Sequence, residues 1–213
     1  MSAPTFMPSS LTRPPEECPC GSIGTDRRTH TTRHMQWAVG VPVPATLDAA
    51  WPDDTIAIVT TSSPIGWRQL TYELAQVTRR AGRYDFASFP APIGRGGSDP
   101  RHTRAFLYRH HDPSRGNTAA GYLVVSDEPT AGRYDPTTRE TRDTGRDQVR
   151  PTVGLIFVAY HLRRSGIGRA LIRATAEHAG VAPSELAWWT PFTDAGVALA
   201  RSVAGPDGGV WIA

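Results

Sequence analysis

The stretch T-V-G-L-I-F-V-A (152–159), followed one residue later by H-L-R-R-S-G-I-G (161–168), indicates the fold of this 213-residue chain. Its first part is almost continuously apolar and rich in β-branched residues, which predicts a buried strand. From Ile167 onward, apolar residues recur at steps of three and four as far as Ala174, and Gly180 follows. This pattern predicts an amphipathic helix. The segment is therefore a strand that enters a helix through a glycine-containing turn.

A turn of this kind is suited to binding an anion. Backbone N–H groups are exposed at the start of the helix, where the helix dipole also favours negative charge. Gly166 and Gly168 let the backbone approach a diphosphate without side-chain obstruction, and Arg163, Arg164 and Arg169 add positive charge. By spacing alone, the turn fits a nucleotide, a flavin or coenzyme A, or a tight connection without a ligand.

Alternating strand and helix patterns extend to both sides of this segment. The predicted strands are 55–60, 104–110, 119–126, 185–189 and 210–212, and the further predicted helices are 67–81 and 195–203. Residues 127–150 are rich in charges and turn formers with almost no aliphatic residues, which predicts an exposed, mobile loop. Residues 1–16 are rich in Pro, Ser and Thr, which predicts a flexible N-terminus.

Composition bounds the possible partners and the compartment. The formal net charge of +3 is spread along the chain without a long basic run, so no nucleic-acid partner is expected. No apolar stretch is long enough for a membrane span, and the N-terminus lacks a secretory signal pattern. We therefore expect a cytoplasmic protein without a membrane partner. In that compartment Cys18 and Cys20, the two cysteines of the chain, are not expected to form a disulfide.

The segment 17–40 contains a pattern typical of metal ligands. Cys18, Cys20, His30 and His34 form C-x-C-x9-H-x3-H, and two thiolates with two imidazoles suit a tetrahedral Zn²⁺. The histidines are four residues apart, so they lie on one face of a helix. The pattern predicts a small Cys2His2 zinc-finger-like segment. The alternative is two free cysteines and two solvent-exposed histidines.

The glycine turn also resembles a known family. R-R-S-G-I-G (163–168) fits the Gln/Arg-x-x-Gly-x-Gly/Ala motif of the GNAT acetyltransferases, in the same strand-to-helix setting. The resemblance implies an α/β (α+β) domain over residues 50–213, with a mixed, mostly antiparallel sheet flanked by helices. It implies that Phe157 and Val158 line the pantetheine arm of acetyl-CoA. The phosphates would be held by the turn itself: Arg163, Arg164, Ser165, Gly166, Ile167, Gly168 and Arg169.

A second, partial resemblance concerns S-E-L-A-W-W-T-P-F-T-D-A-G (184–196). It is similar to the segment E-E-I-A-F-S-D-P-T-P-D-G of the sister-chromatid cohesion acetyltransferases, which also carry a Cys2His2 finger before a GNAT domain. The match places Glu185 at the position of a glutamate in that family. Thr190 stands where the family often has an acid.

Three residues are candidates for the chemistry of acetyl transfer. Glu185 is the first candidate for a general base, and the alternative is that it caps or flanks a strand. Asp194 is the second, and the alternative is an N-cap or first-turn acid of the next helix. Many GNAT enzymes protonate the leaving thiolate with a tyrosine in that helix. None is present here, so Thr190 or Thr193, a water or another group would have to serve in this step.

These observations favour an acetyl-CoA-dependent N-acetyltransferase acting on a primary amine of a small molecule or of a protein lysine. The alternative is a non-catalytic CoA-sensing or zinc-dependent interaction module. The expected ligands are acetyl-CoA as cosubstrate, an amine acceptor and a structural Zn²⁺.

Overall fold

A computed structural model describes residues 18–23, 26–52, 54–85, 88–91, 99–135, 137–143, 148–190, 192–204 and 208–213. The predicted flexible N-terminus, 1–16, lies outside these residues. No helix in the described ranges is both long and apolar enough to cross a membrane.

Five α-helices and nine β-strands make up the described fold. The helices are α1 (Arg27–Val39), α2 (Ala45–Ala49), α3 (Ile65–Gly82), α4 (Ile167–Ala179) and α5 (Asp194–Arg201). The strands are β1 (Val41–Pro42), β2 (Ile56–Thr60), β3 (Arg104–Asp112), β4 (Gly116–Pro129), β5 (Gly132–Asp135), β6 (Glu140–Asp143), β7 (Val149–Val158), β8 (Ala187–Trp188) and β9 (Val210–Ile212). Two 3-10 turns, Tyr160–Leu162 and Pro183–Glu185, precede α4 and β8.

All nine strands belong to one mixed sheet. The order is β2-β3-β4-β7-β8-β9-β5-β6, and β1 pairs with the start of β4. Only β7–β8 and β8–β9 are parallel pairs, and the remaining pairs are antiparallel. The predicted fold class, a mixed and mostly antiparallel sheet flanked by helices, is confirmed.

The sheet separates two hydrophobic clusters, because side chains along its central strands point alternately to opposite faces. On β4, Tyr122 packs in the cluster with α1 and α3, and Leu123 packs in the cluster with α4 and α5. On β7, Phe157 belongs to the first cluster, and the adjacent Ile156 packs against the second. Burial on both faces explains why 152–159 reads as a continuous apolar run.

The prediction of a loop over 127–150 is wrong where the structure describes these residues. β4 continues to Pro129, β5 and β6 form a hairpin, and β7 already begins at Val149. β5 also pairs with β9, and Thr130 is buried with its hydroxyl donating to the carbonyl of Gln148. The hairpin lies at the edge of the sheet, where polar and charged side chains are common, so it lacks the apolar alternation that identifies a strand in sequence.

Candidate functional site

The turn between β7 and α4 has an open backbone. Gly166 is the N-cap of α4 with φ 92°. Arg164, two residues earlier, also has a positive φ, 68°. The hydrogen bond from the Ala170 N–H to the Gly166 carbonyl, 3.0 Å, begins the helix, and no side chain caps its first turn. A Cβ added at Gly166 would meet no atom within 4 Å. The first N–H groups of α4 are therefore open to a ligand from outside.

The structure separates the roles of the two glycines of the motif. A Cβ at Gly168 would meet Leu199 Cδ2 at 3.5 Å and Ile156 Cδ1 at 3.9 Å, which are ordinary packing distances. Gly168 therefore faces α5 and the sheet. The open approach that the sequence assigned to both glycines belongs to Gly166 alone.

The strand that leads into this turn has a free edge. β8 pairs with β7 only at Thr152 and Val153, and the Trp189 N–H donates to the Val153 carbonyl. Beyond that point, in the described residues, β7 has a strand neighbour only on the β4 side. The Val158 carbonyl accepts a bond from Arg163 Nε, 3.3 Å, on the open side. Because N–H and C=O of one strand residue point the same way, the Val158 N–H also faces this gap.

The two strand residues predicted to line a ligand differ in exposure. Phe157 is 5% exposed and packs in the core, so it can offer a ligand only its backbone. Val158 is partly exposed at the strand end. Within the turn, Arg163, Arg164, Ser165 and Gly166 are exposed, whereas Ile167 is buried.

Three guanidinium groups surround the turn. The Arg163 side chain lies over the Tyr160 ring at 5.3 Å, and Arg169 Nε donates to Ser202 Oγ at 3.4 Å. In the described part of the chain, no carboxylate lies within ion-pair distance of Arg163, Arg164 or Arg169. The turn therefore combines open N–H groups with uncompensated positive charge, which suits a diphosphate.

Glu185 lies at the other end of the β7–β8 pair. Its carboxylate accepts a hydrogen bond from the Ala182 N–H at 2.9 Å and so caps the 3-10 turn before β8. Its carbonyl accepts a bond from Arg150 at 3.4 Å. Arg150 precedes Val158 by eight residues of β7, a separation of about 26 Å along a strand. The structure thus does not bring the Glu185 carboxylate to the turn, and its position matches the capping alternative.

Asp194 and Thr190 lie on the same side as the turn, because β7 and β8 are parallel and their carboxyl ends share one edge. Thr193 is the N-cap of α5, and its hydroxyl accepts from the Gly196 N–H. Asp194 is the first helical residue and is exposed, with no hydrogen-bond partner for its carboxylate among the described residues. Leu199 packs at Gly168, about 8 Å farther along the helix axis. Thr190 is also exposed.

The four predicted metal ligands converge. The ligand atoms of Cys18, Cys20, His30 and His34 all lie within 4.8 Å of one another, and Cys18 Sγ is 3.1 Å from His34 Nδ1. Around a tetrahedral Zn²⁺, neighbouring ligand atoms are about 3.3–3.8 Å apart. The residues therefore fit zinc after small side-chain adjustments, with no ligand position left open.

The surroundings of Cys18 and Cys20 shift the pKa values of the two thiols in opposite directions. Burial raises the pKa of the Cys18 thiol. Burial alone would also raise the pKa of Cys20, but hydrogen bonds with Ser22 and Cys18 and the charge of Arg80 outweigh it, so the pKa of Cys20 is lowered. A thiol that ionises readily is a better zinc ligand, because zinc binds the thiolate.

The Cys/His segment packs on α3 and on the 3-10 turn before α4. Gly21, with φ 73°, lies so close to α3 that an added Cβ would be 2.0 Å from the Arg80 carbonyl oxygen. On the other side, Trp37 of α1 stacks on Tyr160 with ring centroids 4.5 Å apart, and His34 is 5.3 Å from Trp37. Trp37 and Tyr160 were not identified from the sequence, since only tertiary packing brings them together.

Comparisons with known proteins support the fold. No protein-family model and no curated protein sequence matches the chain. The solved structure of the xEco2 acetyltransferase domain bound to a K105-CoA conjugate is similar, with a TM-score of 0.52 and 16% identity over 74% of this chain and 91% of that one. A ribosomal-protein-alanine N-acetyltransferase from Brucella melitensis biovar Abortus 2308 has a TM-score of 0.39 and 17% identity over 70% and 90% of the two chains. In its fold, the chain resembles the GNAT-type acetyltransferases.

Proposed function

We propose that this chain is an acetyl-CoA-dependent N-acetyltransferase that acts on a primary amine of a small molecule or of a protein lysine. The observation that carries the proposal is the continuity of the unpaired β7 edge with the uncapped first turn of α4. The pantetheine arm would lie along Val158, and the pyrophosphate would be held at Gly166 by backbone N–H groups with Arg163, Arg164 and Arg169 around it.

The proposed reaction needs a base, a polarised carbonyl and a proton for the leaving group. The amine nitrogen attacks the thioester carbonyl carbon, the C–S bond breaks, and a proton passes to the CoA thiolate. The Val158 N–H faces the gap where the thioester would lie and is a donor for its carbonyl oxygen. Asp194 is the proposed base because its carboxylate is uncommitted, and it takes the amine proton. Thr190 is the proposed hydrogen-bond donor to the thiolate, which takes its proton from solvent.

The four Cys and His residues would hold a structural Zn²⁺. Its chemistry here is that of a cross-link, because four protein ligands fill a tetrahedral shell. Cys18 and Cys20 would bind as thiolates, and His30 and His34 would fix α1 against them. Through Trp37, this segment supports Tyr160 at the entrance of the turn.

Acetyl-CoA binding tests the cofactor site directly. Gly166→Glu places a bulky negative side chain where the phosphates would bind, and we expect the Kd measured by calorimetry to rise at least about 30-fold. Gly180→Glu is the matched control. It lies at the other end of α4, also has a positive φ (68°), and also has no atom within 4 Å of an added Cβ. It should reproduce the backbone strain and leave the Kd unchanged. An equal loss in both variants, or no binding by the folded wild type, would contradict the proposal.

Tyr160 is expected to support the turn rather than to react. Tyr160→Ala removes the stack on Trp37 and the ring under Arg163, and we expect acetyl-CoA affinity to fall about three- to tenfold. Tyr160→Phe keeps the ring and should bind as the wild type does. If Tyr160→Phe were as weak as Tyr160→Ala, the phenol hydroxyl would be the important group, and the stacking argument would fail.

A second candidate function, CoA binding without catalysis, is favoured by one observation. The Glu185 carboxylate is occupied by the Ala182 N–H and lies far from the turn, so the base suggested by family resemblance is not at the site. Tight acetyl-CoA binding with no acetyl transfer to a broad panel of amines and lysine peptides would support this candidate.

A further inference from the structure

An open cleft of about 300 Å³ lies between α1 and the C-terminal part of α3, apart from the turn described above. Its lining is entirely polar or charged: Arg28, Thr29, Thr32, Arg33, Gln36 and Arg80. The five residues from α1 recur at steps of three and four, so they form one face of that helix. The cleft therefore gathers guanidinium groups from two helices.

The positive charge in this cleft is poorly compensated. Arg80 is partly buried, and burial, followed by the charge of Arg33, lowers its pKa. The Arg80 guanidinium donates a hydrogen bond to the amide oxygen of Gln36 at 3.3 Å, and this acceptor is neutral. In the described residues, no carboxylate lies within ion-pair distance of Arg28, Arg33 or Arg80. Arg33 and Arg80 are partly buried, and bringing cations together while partly removing them from water is unfavourable unless an anion accompanies them.

In the part of the chain that the structure describes, two negative groups near the cleft, Asp26 and Cys20, are already engaged. The Asp26 carboxylate accepts the Thr29 N–H at 3.0 Å as the N-cap of α1. The negative charge of Cys20 raises the pKa of Arg80, but this thiolate is one of the predicted zinc ligands. Two thiolates, two neutral imidazoles and one Zn²⁺ have no net charge together. The carbonyls at the C-terminus of α3 offset part of the charge on Arg80, because this residue lies in the last helical turn.

We propose that this cleft binds a phosphate monoester group. Such a group has a charge of about −1.5 to −2 at neutral pH and three acceptor oxygens, which match three guanidinium groups better than a single carboxylate would. Arg33 and Arg80 hold its charge between the two helices, and Arg28 covers the solvent side. The Thr29 side chain also lines the cleft, where it is hydrogen-bonded to the Asp26 carboxylate. The site is distinct from the acetyl-CoA turn and does not depend on that assignment.

The test uses the zinc-loaded 213-residue chain and inorganic phosphate as the probe. Thermal denaturation is measured across a phosphate titration, with chloride added to keep the ionic strength constant. We expect a saturable rise in Tm for the wild type. Arg33→Gln should weaken the apparent affinity roughly tenfold. Because it also removes a repulsion with Arg80, Arg33→Gln should melt higher than the wild type in phosphate-free buffer. Arg27→Gln, on the same helix but outside the cleft, should behave as the wild type.

Three results would overturn the proposal. The first is a phosphate response no larger than that to chloride. The second is an equal response in wild type and Arg33→Gln, and the third is loss of the response when acetyl-CoA saturates the protein. The third result would assign the cleft to the nucleotide end of CoA, whereas failure of acetyl-CoA to bind would affect only the proposed enzymatic function. A phosphoserine peptide that binds more tightly than inorganic phosphate would support a phosphorylated side chain as the source, and equal binding would support a small molecule.

Discussion

Removing zinc with a chelator is expected to lower the Tm of the protein by about 10 °C, because a structural zinc site contributes several kcal/mol to folding. The physical reason is the small size of the Cys/His segment: residues 18–23 lack regular structure, and a metal bound by Cys18, Cys20, His30 and His34 would join them to α1. The measurement is thermal denaturation together with zinc analysis, which should find about one ion per chain before chelation.

Matched histidine variants make this expectation specific. His30→Ala removes a predicted ligand and should lose zinc and the Tm increment together. His111→Ala removes an exposed histidine whose ring contacts Asn117, far from the ligand cluster in sequence, and should keep both. A His30→Ala protein with full zinc content and an unchanged Tm would contradict the metal assignment.

Gly21→Ala separates metal binding from packing of the segment. The four predicted zinc ligands remain in this variant. The added methyl group, however, would overlap the Arg80 carbonyl oxygen, and a φ of 73° is unfavourable for alanine. We therefore expect zinc binding with a reduced Tm and, through Trp37 and Tyr160, weaker acetyl-CoA binding. Retention of wild-type acetyl-CoA affinity would show that the segment folds without supporting the turn.

Asp194→Asn is expected to lower kcat/KM for acetyl transfer by about 10²–10⁴-fold at neutral pH, the usual range for loss of a general base. The amide keeps the size of the side chain and cannot accept the proton. Because Asp194 is exposed and Thr193 provides the helix cap, the fold and the Kd for acetyl-CoA should not change. The measurement is steady-state acetylation of a responsive amine, with calorimetry as the control for cofactor binding.

Glu185→Gln is the comparison that distinguishes the two carboxylates. In this variant a neutral amide replaces the carboxylate that accepts from the Ala182 N–H, so we expect the free energy of unfolding to fall by about 0.5–1 kcal/mol. We expect kcat/KM to stay within about twofold of the wild-type value. The opposite pattern, a large activity loss in Glu185→Gln and none in Asp194→Asn, would restore Glu185 as the base and imply a conformational change that the structure does not show.

Patterns that depend on neighbours in sequence predicted most of the helices and strands. The predicted helix 67–81 is α3, and the predicted hairpin from residue 104 to residue 126 is the core of β3 and β4. The predicted strand 185–189 is shorter in the structure, because 183–185 form a 3-10 turn capped by Glu185. Local hydrogen bonding, rather than apolar content, decided that boundary.

Local sequence patterns predicted the central strand, the glycine turn and the four Cys and His residues whose side chains converge. Each of these depends on residue type and short spacing: apolar runs favour burial, Gly166 adopts a positive φ, and histidines four apart share a helical face. Tertiary packing alone stacks Trp37 on Tyr160 and brings Arg33 and Arg80 to one cleft. These contacts join residues distant in sequence, and they depend on strand direction and helix packing, which no local pattern encodes.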